Sequence, residues 1–223
     1  MTGAQLPLDL GHRPAFGRED FLVAPCNAEA VVWLDRWPDW NAPGLALFGP
    51  PGSGKSHLLA AFAAIEGARP IVAAALDEAM VPALVDGRRL IVLDDLDGLI
   101  SETALFHLFN LARAGGCALV MAGSKPPARM EFRLPDLASR LKILPAVGIG
   151  LPDDSLLAAV MVKQFADRQI PVGEEVVAYL IGRVERSFAA IRRVVAELDR
   201  RSLAERRPIT VPLARAVLEE MRD

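Results

Sequence analysis

Short apolar runs alternate with segments of helical periodicity over the first two thirds of the chain. Five of these runs are bounded by Gly, Pro or charged residues and predict β-strands over 45–48, 71–75, 90–94, 118–122 and 146–149. The segments between them repeat apolar residues every three or four positions, as amphipathic helices do. This alternation predicts an α/β fold in which a parallel five-stranded sheet is flanked by helices.

After residue 150 the strand pattern stops and only helical periodicity remains. Four helices are predicted over 153–168, 174–183, 187–206 and 212–221, with Asp153 and Ser187 as N-caps and Pro212 as a helix-start residue. We therefore predict an N-terminal leader (1–14), an α/β base (15–150) and a small all-helical domain (151–223).

Composition narrows the class of protein. The chain has 223 residues, of which 52% are hydrophobic, and its apolar runs are far shorter than the roughly 20 residues of a membrane span. We expect a folded cytoplasmic protein without a membrane partner. Cys26 and Cys117 have no spacing typical of a disulfide framework or a zinc site. The net charge is −3, and the arginines after residue 182 are interleaved with acidic residues, which favours a solvated helical face over a nucleic-acid surface.

The strongest motif is GPPGSGKS at residues 49–56, which follows a predicted strand and precedes a predicted helix. This strand, loop and helix setting is required of a P-loop, whose glycines turn backbone N–H groups toward phosphate oxygens. Lys55 supplies a mobile positive charge, and Ser56 offers a hydroxyl to Mg²⁺. The nucleotide site is expected to involve Gly49, Pro50, Pro51, Gly52, Ser53, Gly54, Lys55, Ser56 and His57.

Two carboxylates follow the third predicted strand, in LIVLDD. Ligands of open α/β sheets bind at the carboxyl ends of strands, so we interpret Asp94 as a water-mediated Mg²⁺ ligand and Asp95 as the group that orients an attacking water. For Asp97 a helix cap or an exposed loop position is favoured. Ser124, after the fourth strand, is placed to contact the γ-phosphate or that water, although it also suits an ordinary turn.

Together, the motifs GPPGSGKSHLL, LIVLDD, FHLFNLARAGG, GSKPP and LPDLASRL resemble the AAA+ ATPases of the DnaA-related group. Within that group, LPDLASRL beside the N-terminal QLPLDL is most similar to the Hda-type regulatory inactivators of DnaA. The resemblance covers nearly the whole chain and implies an AAA+ P-loop NTPase base, a helical lid starting near Leu151, and ATP or ADP with Mg²⁺ as cofactors. It also implies that Arg140 is an arginine finger; the alternative is an ion pair with Asp136, one helical turn back.

One position departs from the family pattern. The lid helix of DnaA-type proteins carries a sensor-II arginine where this chain has Ala189, and Arg186 or Arg192 lies on nearly the same helical face. We therefore expect slow intrinsic hydrolysis and a stable ADP-bound form. The resemblance further points to Leu22, Val23 and Asn27 as candidates beside the adenine base.

The leader contains QLPLDL, which resembles the peptide motif that binds the DNA polymerase sliding clamp. In an extended peptide alternate residues share one side, so Leu8 and Leu10 can enter one apolar groove, with Leu6 supporting, while the Gln5 amide donates and accepts hydrogen bonds. The alternative is a tail that folds back onto its own sheet.

These expectations converge on a negative regulator of DNA replication initiation. Its expected partners are DnaA, the sliding clamp (the beta subunit of DNA polymerase III), DNA indirectly through the clamp, and a second copy of the chain. Since the sequence ends soon after the lid, no helix-turn-helix DNA-binding domain is expected. Two alternatives stay open: a helicase-loader-type ATPase, and a non-catalytic clamp-binding adaptor with a structural nucleotide.

Overall fold

A computed structural model describes residues 22–221 and contains a parallel five-stranded sheet in the order β2-β3-β4-β1-β5. The strands are β1 (Gly44–Phe48), β2 (Pro70–Val72), β3 (Leu90–Asp94), β4 (Ala118–Gly123) and β5 (Ala146–Gly148). The helices of the base are α1 (Ala28–Asp35), α2 (Lys55–Ile65), α3 (Val81–Val85), α4 (Glu102–Ala114) and α5 (Pro135–Lys142). The predicted second strand is too long, because residues Ala73–Ala75 form a 3₁₀ turn.

Helices cover both faces of the sheet, and β3 shows why. Its alternate residues Ile91 and Leu93 pack into a cluster with the apolar sides of α4 and α5. Leu90 and Val92 point to the opposite face, where α1 and α2 pack. A strand buried on both faces is apolar at every position, as in this run. This arrangement brings the carboxyl ends of β1, β3 and β4 to one edge of the sheet.

The four C-terminal helices form a lid with its own core. They are α6 (Asp154–Asp167), α7 (Glu174–Ile181), α8 (Phe188–Glu205) and α9 (Val211–Glu220). The two predicted caps are confirmed, since Asp153 Oδ1 accepts from the Leu156 N–H at 2.8 Å and Ser187 Oγ accepts from the Ala190 N–H at 3.1 Å. Within residues 22–221, none of the helices is long and apolar enough to cross a membrane.

Acidic residues accompany the arginines of the lid, as the interleaved charge pattern predicts. Arg200 contacts Glu197 one turn away, and Arg201 contacts both Glu205 (3.1 Å) and Glu220 (2.7 Å). These pairs lie at the surface, where solvent screening leaves an ion pair little influence on stability. Much of the positive charge of this stretch is therefore locally compensated.

Candidate nucleotide-binding site

The loop between β1 and α2 has the backbone of a phosphate-binding loop. Gly52 and Gly54 have φ of +78° and +94°, in the left-handed region that glycine adopts without steric cost. Helix α2 begins at Lys55, directly after Gly54, so its N-terminal N–H groups open toward the loop. Successive backbone N–H groups together with a helix N-terminus form a site suited to an anion.

Two side chains of this loop lack the partner that a phosphate would provide. Lys55 Nζ donates to the carbonyl oxygens of Gly49 (2.7 Å) and Pro50 (3.0 Å), which are neutral acceptors. Partial burial lowers the pKa of Lys55, against the opposing influence of nearby carboxylates, Asp97 first among them. The buried Ser53 hydroxyl has no hydrogen-bond partner among the described residues. These residues therefore fit a bound phosphate group.

The two carboxylates of the LIVLDD motif lie at the adjoining edge of the sheet. Asp94 is the last residue of β3, and its Oδ1 accepts from the Asp95 N–H at 2.9 Å. Asp95 has a φ of +58°, a region that Asp adopts more readily than most residues. In residues 22–221 no three His, Cys, Asp or Glu side chains are grouped to hold a metal. A cation at Asp94 and Ser56 would take its other oxygens from phosphate and water, as Mg²⁺ ordinarily does.

Asp97 has a role beyond the predicted loop position. It is exposed, as expected, but its carboxylate accepts the Ser124 N–H (2.7 Å to Oδ2) and the Ser124 hydroxyl (2.6 Å to Oδ1). The hydroxyl proton of Ser124 is thus directed at Asp97. Toward a phosphate or a water, the Ser124 oxygen presents lone pairs and acts as an acceptor.

The lid packs directly on the phosphate-binding loop. The Phe188 N–H donates to the Gly52 carbonyl oxygen at 3.5 Å, and Ser187 is buried. A Cβ built on Gly52 would lie 2.5 Å from the Ser187 Cβ, and one on Gly54 would lie 2.9 Å from the Phe188 ring. Both glycines are therefore needed for close approach of the lid as well as for backbone conformation.

A cavity of about 710 Å³ lies between the loop, the start of the described chain and the lid. Its lining includes seven of the residues predicted to bind nucleotide: Leu22, Gly52, Ser53, Gly54, Lys55, Ser56 and His57. Four predicted residues lie outside the lining: the loop residues Gly49, Pro50 and Pro51, and Val23, which packs against the base core.

Asn27 also lines the cavity, but its side chain is bonded to the backbone. Its Oδ1 accepts from the Ala24 N–H (2.9 Å) and its Nδ2 donates to the Leu22 carbonyl (3.1 Å). Its amide therefore fixes the chain entering the base.

The two arginines near the missing sensor-II position differ in their surroundings. Ala189 and Arg192 both line the cavity. Arg186 lies outside it and forms an ion pair with Asp154 at 3.1 Å. Within residues 22–221, Arg192 has no ion pair. Of the two, Arg192 is the one positioned beside the nucleotide site.

Arg140 lies on α5, outside this cavity. Its guanidinium carbon is 5.0 Å from the centre of the Phe106 ring, a cation–π distance, and the residue is half-buried. No ion pair with Asp136 or any other described residue is present. The start of α5 is held by Glu102, whose carboxylate accepts the Arg133 N–H (3.0 Å) and the Leu134 N–H (2.8 Å).

The predicted clamp-binding residues Gln5, Leu6, Leu8 and Leu10 lie outside the described residues. The sequence patterns singled out Ala189 and Arg192 but not the residues of lid helix α6 that line the cavity. Leu156, Val160 and Gln164 are spaced by four on α6 and share one helical face. Their periodicity could identify that face, but not whether it meets the lid core or the base.

Comparison with known proteins agrees with this geometry. Residues 153–218 match the family described as Hda, lid domain. An uncharacterized protein of Haemophilus influenzae is 29% identical over 192 residues, which are 81% of this chain and 83% of that protein.

Solved structures show the same fold. Domain III of the Thermotoga maritima replication initiation protein DnaA superposes with a TM-score of 0.78 at 20% identity, over 93% of this chain and 97% of that one. AMPPCP-bound DnaA from Aquifex aeolicus gives a TM-score of 0.63 at 22% identity, over 81% of this chain and 64% of that one. The chain thus has a C-terminal region that matches the Hda lid family, on a base with the AAA+ fold seen in DnaA domain III.

Proposed function

We propose that this chain is a negative regulator of replication initiation that promotes hydrolysis of ATP bound to DnaA. In this proposal it binds adenine nucleotide in its own P-loop and is tethered to the DNA-loaded sliding clamp through Gln5, Leu6, Leu8 and Leu10. It presents Arg140 to the nucleotide of DnaA. The Hda lid match and the DnaA-like fold support a regulator of the DnaA-related class.

Adenine nucleotide as the ligand is supported by the structural relatives, since the Aquifex aeolicus DnaA was solved with AMPPCP. The N–H groups of Gly52 to Ser56 and the Lys55 ammonium would hold ATP or ADP by its phosphates, with Mg²⁺ on Ser56 and, through water, Asp94. When bound, Mg²⁺ would neutralise phosphate charge. The buried, unpartnered Ser53 hydroxyl and the left-handed glycines fit such a ligand.

We propose that intrinsic hydrolysis is slow and that the nucleotide is mainly a conformational ligand. Ala189 supplies no sensor-II charge. Ser124, which directs its hydroxyl proton at Asp97, does not donate it to a phosphate oxygen. Asp95 is left as the residue that orients water, on a side chain shorter than glutamate. The cavity therefore binds phosphates better than it stabilises their transfer.

The observation that carries the proposal is the position of Arg140. Its guanidinium has no ion pair within residues 22–221, packs on the Phe106 ring and lies away from the chain's own P-loop. The group is therefore available to a second molecule. Transition-state charge on a transferring phosphoryl group is the target that suits it. An arginine supplied in this way accelerates hydrolysis by about 10³- to 10⁵-fold.

The test follows labelled ATP bound to DnaA in a mixture with the sliding clamp, DNA and this protein. Arg140→Ala is expected to abolish the stimulated hydrolysis, and Gln5→Ala to reduce it strongly by loss of the tether. Arg113→Ala, on an exposed arginine in the last turn of neighbouring α4, is the matched control and is expected to retain it.

Each alternative function gives a different result. Full stimulation by Arg140→Ala would refute the arginine-finger assignment and favour the clamp-binding adaptor. Rapid ATP hydrolysis by the protein alone on single-stranded DNA would instead favour a helicase-loader-type ATPase. No loss of DnaA-bound ATP with the native protein would refute the proposal as a whole.

A further inference from the structure

The cavity contains a polar group that the proposed function leaves unused. The side-chain oxygen of Gln164 is buried and has no hydrogen-bond partner among the described residues. Gln164 lines the cavity from the lid side. A buried acceptor without a donor is costly and uncommon in folded proteins. Its position in a ligand-sized cavity suggests that the missing donor belongs to a ligand.

The surroundings of Gln164 suit the flat, apolar part of that ligand. Leu156 and Val160 precede it on the same face of α6, and Leu22 and Ile149 complete an apolar wall. Side chains of a helix lean toward its N-terminus, so the Gln164 amide lies toward Val160. An aromatic base packed on this wall would present its polar edge to the amide, while the attached phosphates reach the loop at Gly52–Ser56.

Two other polar side chains of the cavity lining are already engaged. The amide of Asn27, the other amide in the cavity lining, is bonded to the backbone at Ala24 and Leu22. Lys163 forms an ion pair with Asp167 at 3.2 Å. The Asn27 amide oxygen already accepts a hydrogen bond, and the Lys163 ammonium can only donate. Neither side chain therefore offers an open acceptor to a base.

We infer that Gln164 determines base specificity by accepting a hydrogen bond from the 6-amino group of adenine. The inference rests on the proposed nucleotide site and adds to it the residue that recognises the base. Glutamine amides pair with the adenine edge, since the carbonyl takes the amino hydrogen and the NH₂ group donates to a ring nitrogen. Removing the 6-amino group would return the Gln164 oxygen to its unpaired state.

The experiment compares the binding of ADP with that of purine riboside diphosphate, which lacks only the 6-amino group, by isothermal titration calorimetry. The native protein is expected to bind ADP at least about fivefold more tightly, the loss expected for one unpaired buried acceptor. Gln164→Leu should bring the two affinities within about twofold, chiefly by weakening ADP. Gln164→Glu keeps an acceptor at this position and should retain the preference.

Gln169→Leu is the matched control, because Gln169 is exposed, lies just beyond α6 and is absent from the cavity lining. It should behave as the native protein does. Equal affinities in the native protein, or an ADP preference that survives in Gln164→Leu, would overturn the inference and leave the nucleotide proposal standing. Equal loss of both ligands in Gln164→Leu would show a structural role and also overturn it. Failure of the native protein to bind either ligand would refute both proposals.

Discussion

The contact between the lid and the phosphate-binding loop can be tested by adding one methyl group at Gly52. Alanine there would have to adopt a φ of +78°, which costs about 1–2 kcal/mol. Its Cβ would also lie 2.5 Å from the Ser187 Cβ, so that the lid backbone must shift. Overpacking of this kind costs about 1–3 kcal/mol. We expect Gly52→Ala to lower the free energy of unfolding by about 2–5 kcal/mol.

Gly67 provides a matched control. It has a similar φ of +65°, but a Cβ at this position meets nothing within 4 Å. Gly67→Ala should therefore show only the backbone cost of about 1–2 kcal/mol. The difference between the two variants, measured by urea unfolding, isolates the contact with the lid.

A second change should restore the loss. Ser187→Gly removes the Cβ that the methyl group added at position 52 would meet, and glycine replaces a serine N-cap at a cost of only a few tenths of a kcal/mol. The double variant Gly52→Ala, Ser187→Gly is expected to recover about 1–3 kcal/mol of the overpacking cost. Equal costs for Gly52→Ala and Gly67→Ala, or no recovery in the double variant, would refute the reasoning.

Three further outcomes are expected. Arg192→Ala should weaken ADP binding about tenfold, because it removes a cation from the lining of the proposed nucleotide site. Arg186→Ala breaks only a surface pair and should change the affinity less than about twofold in calorimetry. Phe165→Ala, at a fully buried lid position, should lower the free energy of unfolding by about 3–5 kcal/mol in urea. The pKa of Asp153 lies below its usual value because its carboxylate accepts the Leu156 N–H. The ionised carboxylate therefore stabilises the fold at pH values above its ordinary pKa, and this contribution is lost as the pH falls through the lowered pKa. Asp153→Asn should flatten that acid part of the stability profile.

The sequence predicts most of the base because its elements are specified locally. The run over Leu90–Asp94 is apolar at every position up to its carboxylate, and the structure places a strand there with the same bounds. Asp153 and Ser187 precede periodic segments and do cap helices. The P-loop is recognisable because its glycines, lysine and serine are contiguous in the chain.

Contacts between distant segments could not be predicted in this way. Asp97 and Ser124 are 27 residues apart, and their bond depends on β3 and β4 being neighbours in the sheet. Helical spacing predicts that Arg186 and Arg192 are equivalent. In the structure Arg186 precedes the Ser187 cap and pairs with Asp154, whereas Arg192 lies on the helix and lines the cavity. The role suggested for Gln164 likewise depends on which face of α6 turns toward the base.

The hydrogen bond from the Phe188 N–H to the Gly52 carbonyl oxygen has a thermodynamic consequence. The same loop holds the proposed phosphate site and one side of the interface between base and lid. A ligand that favours one orientation of the lid must, by linkage, be bound more tightly by molecules already in that orientation. A partner protein that binds the lid in one orientation would thereby change the affinity for nucleotide without contacting the nucleotide. Exchange of the nucleotide would change the affinity for that partner by the same factor.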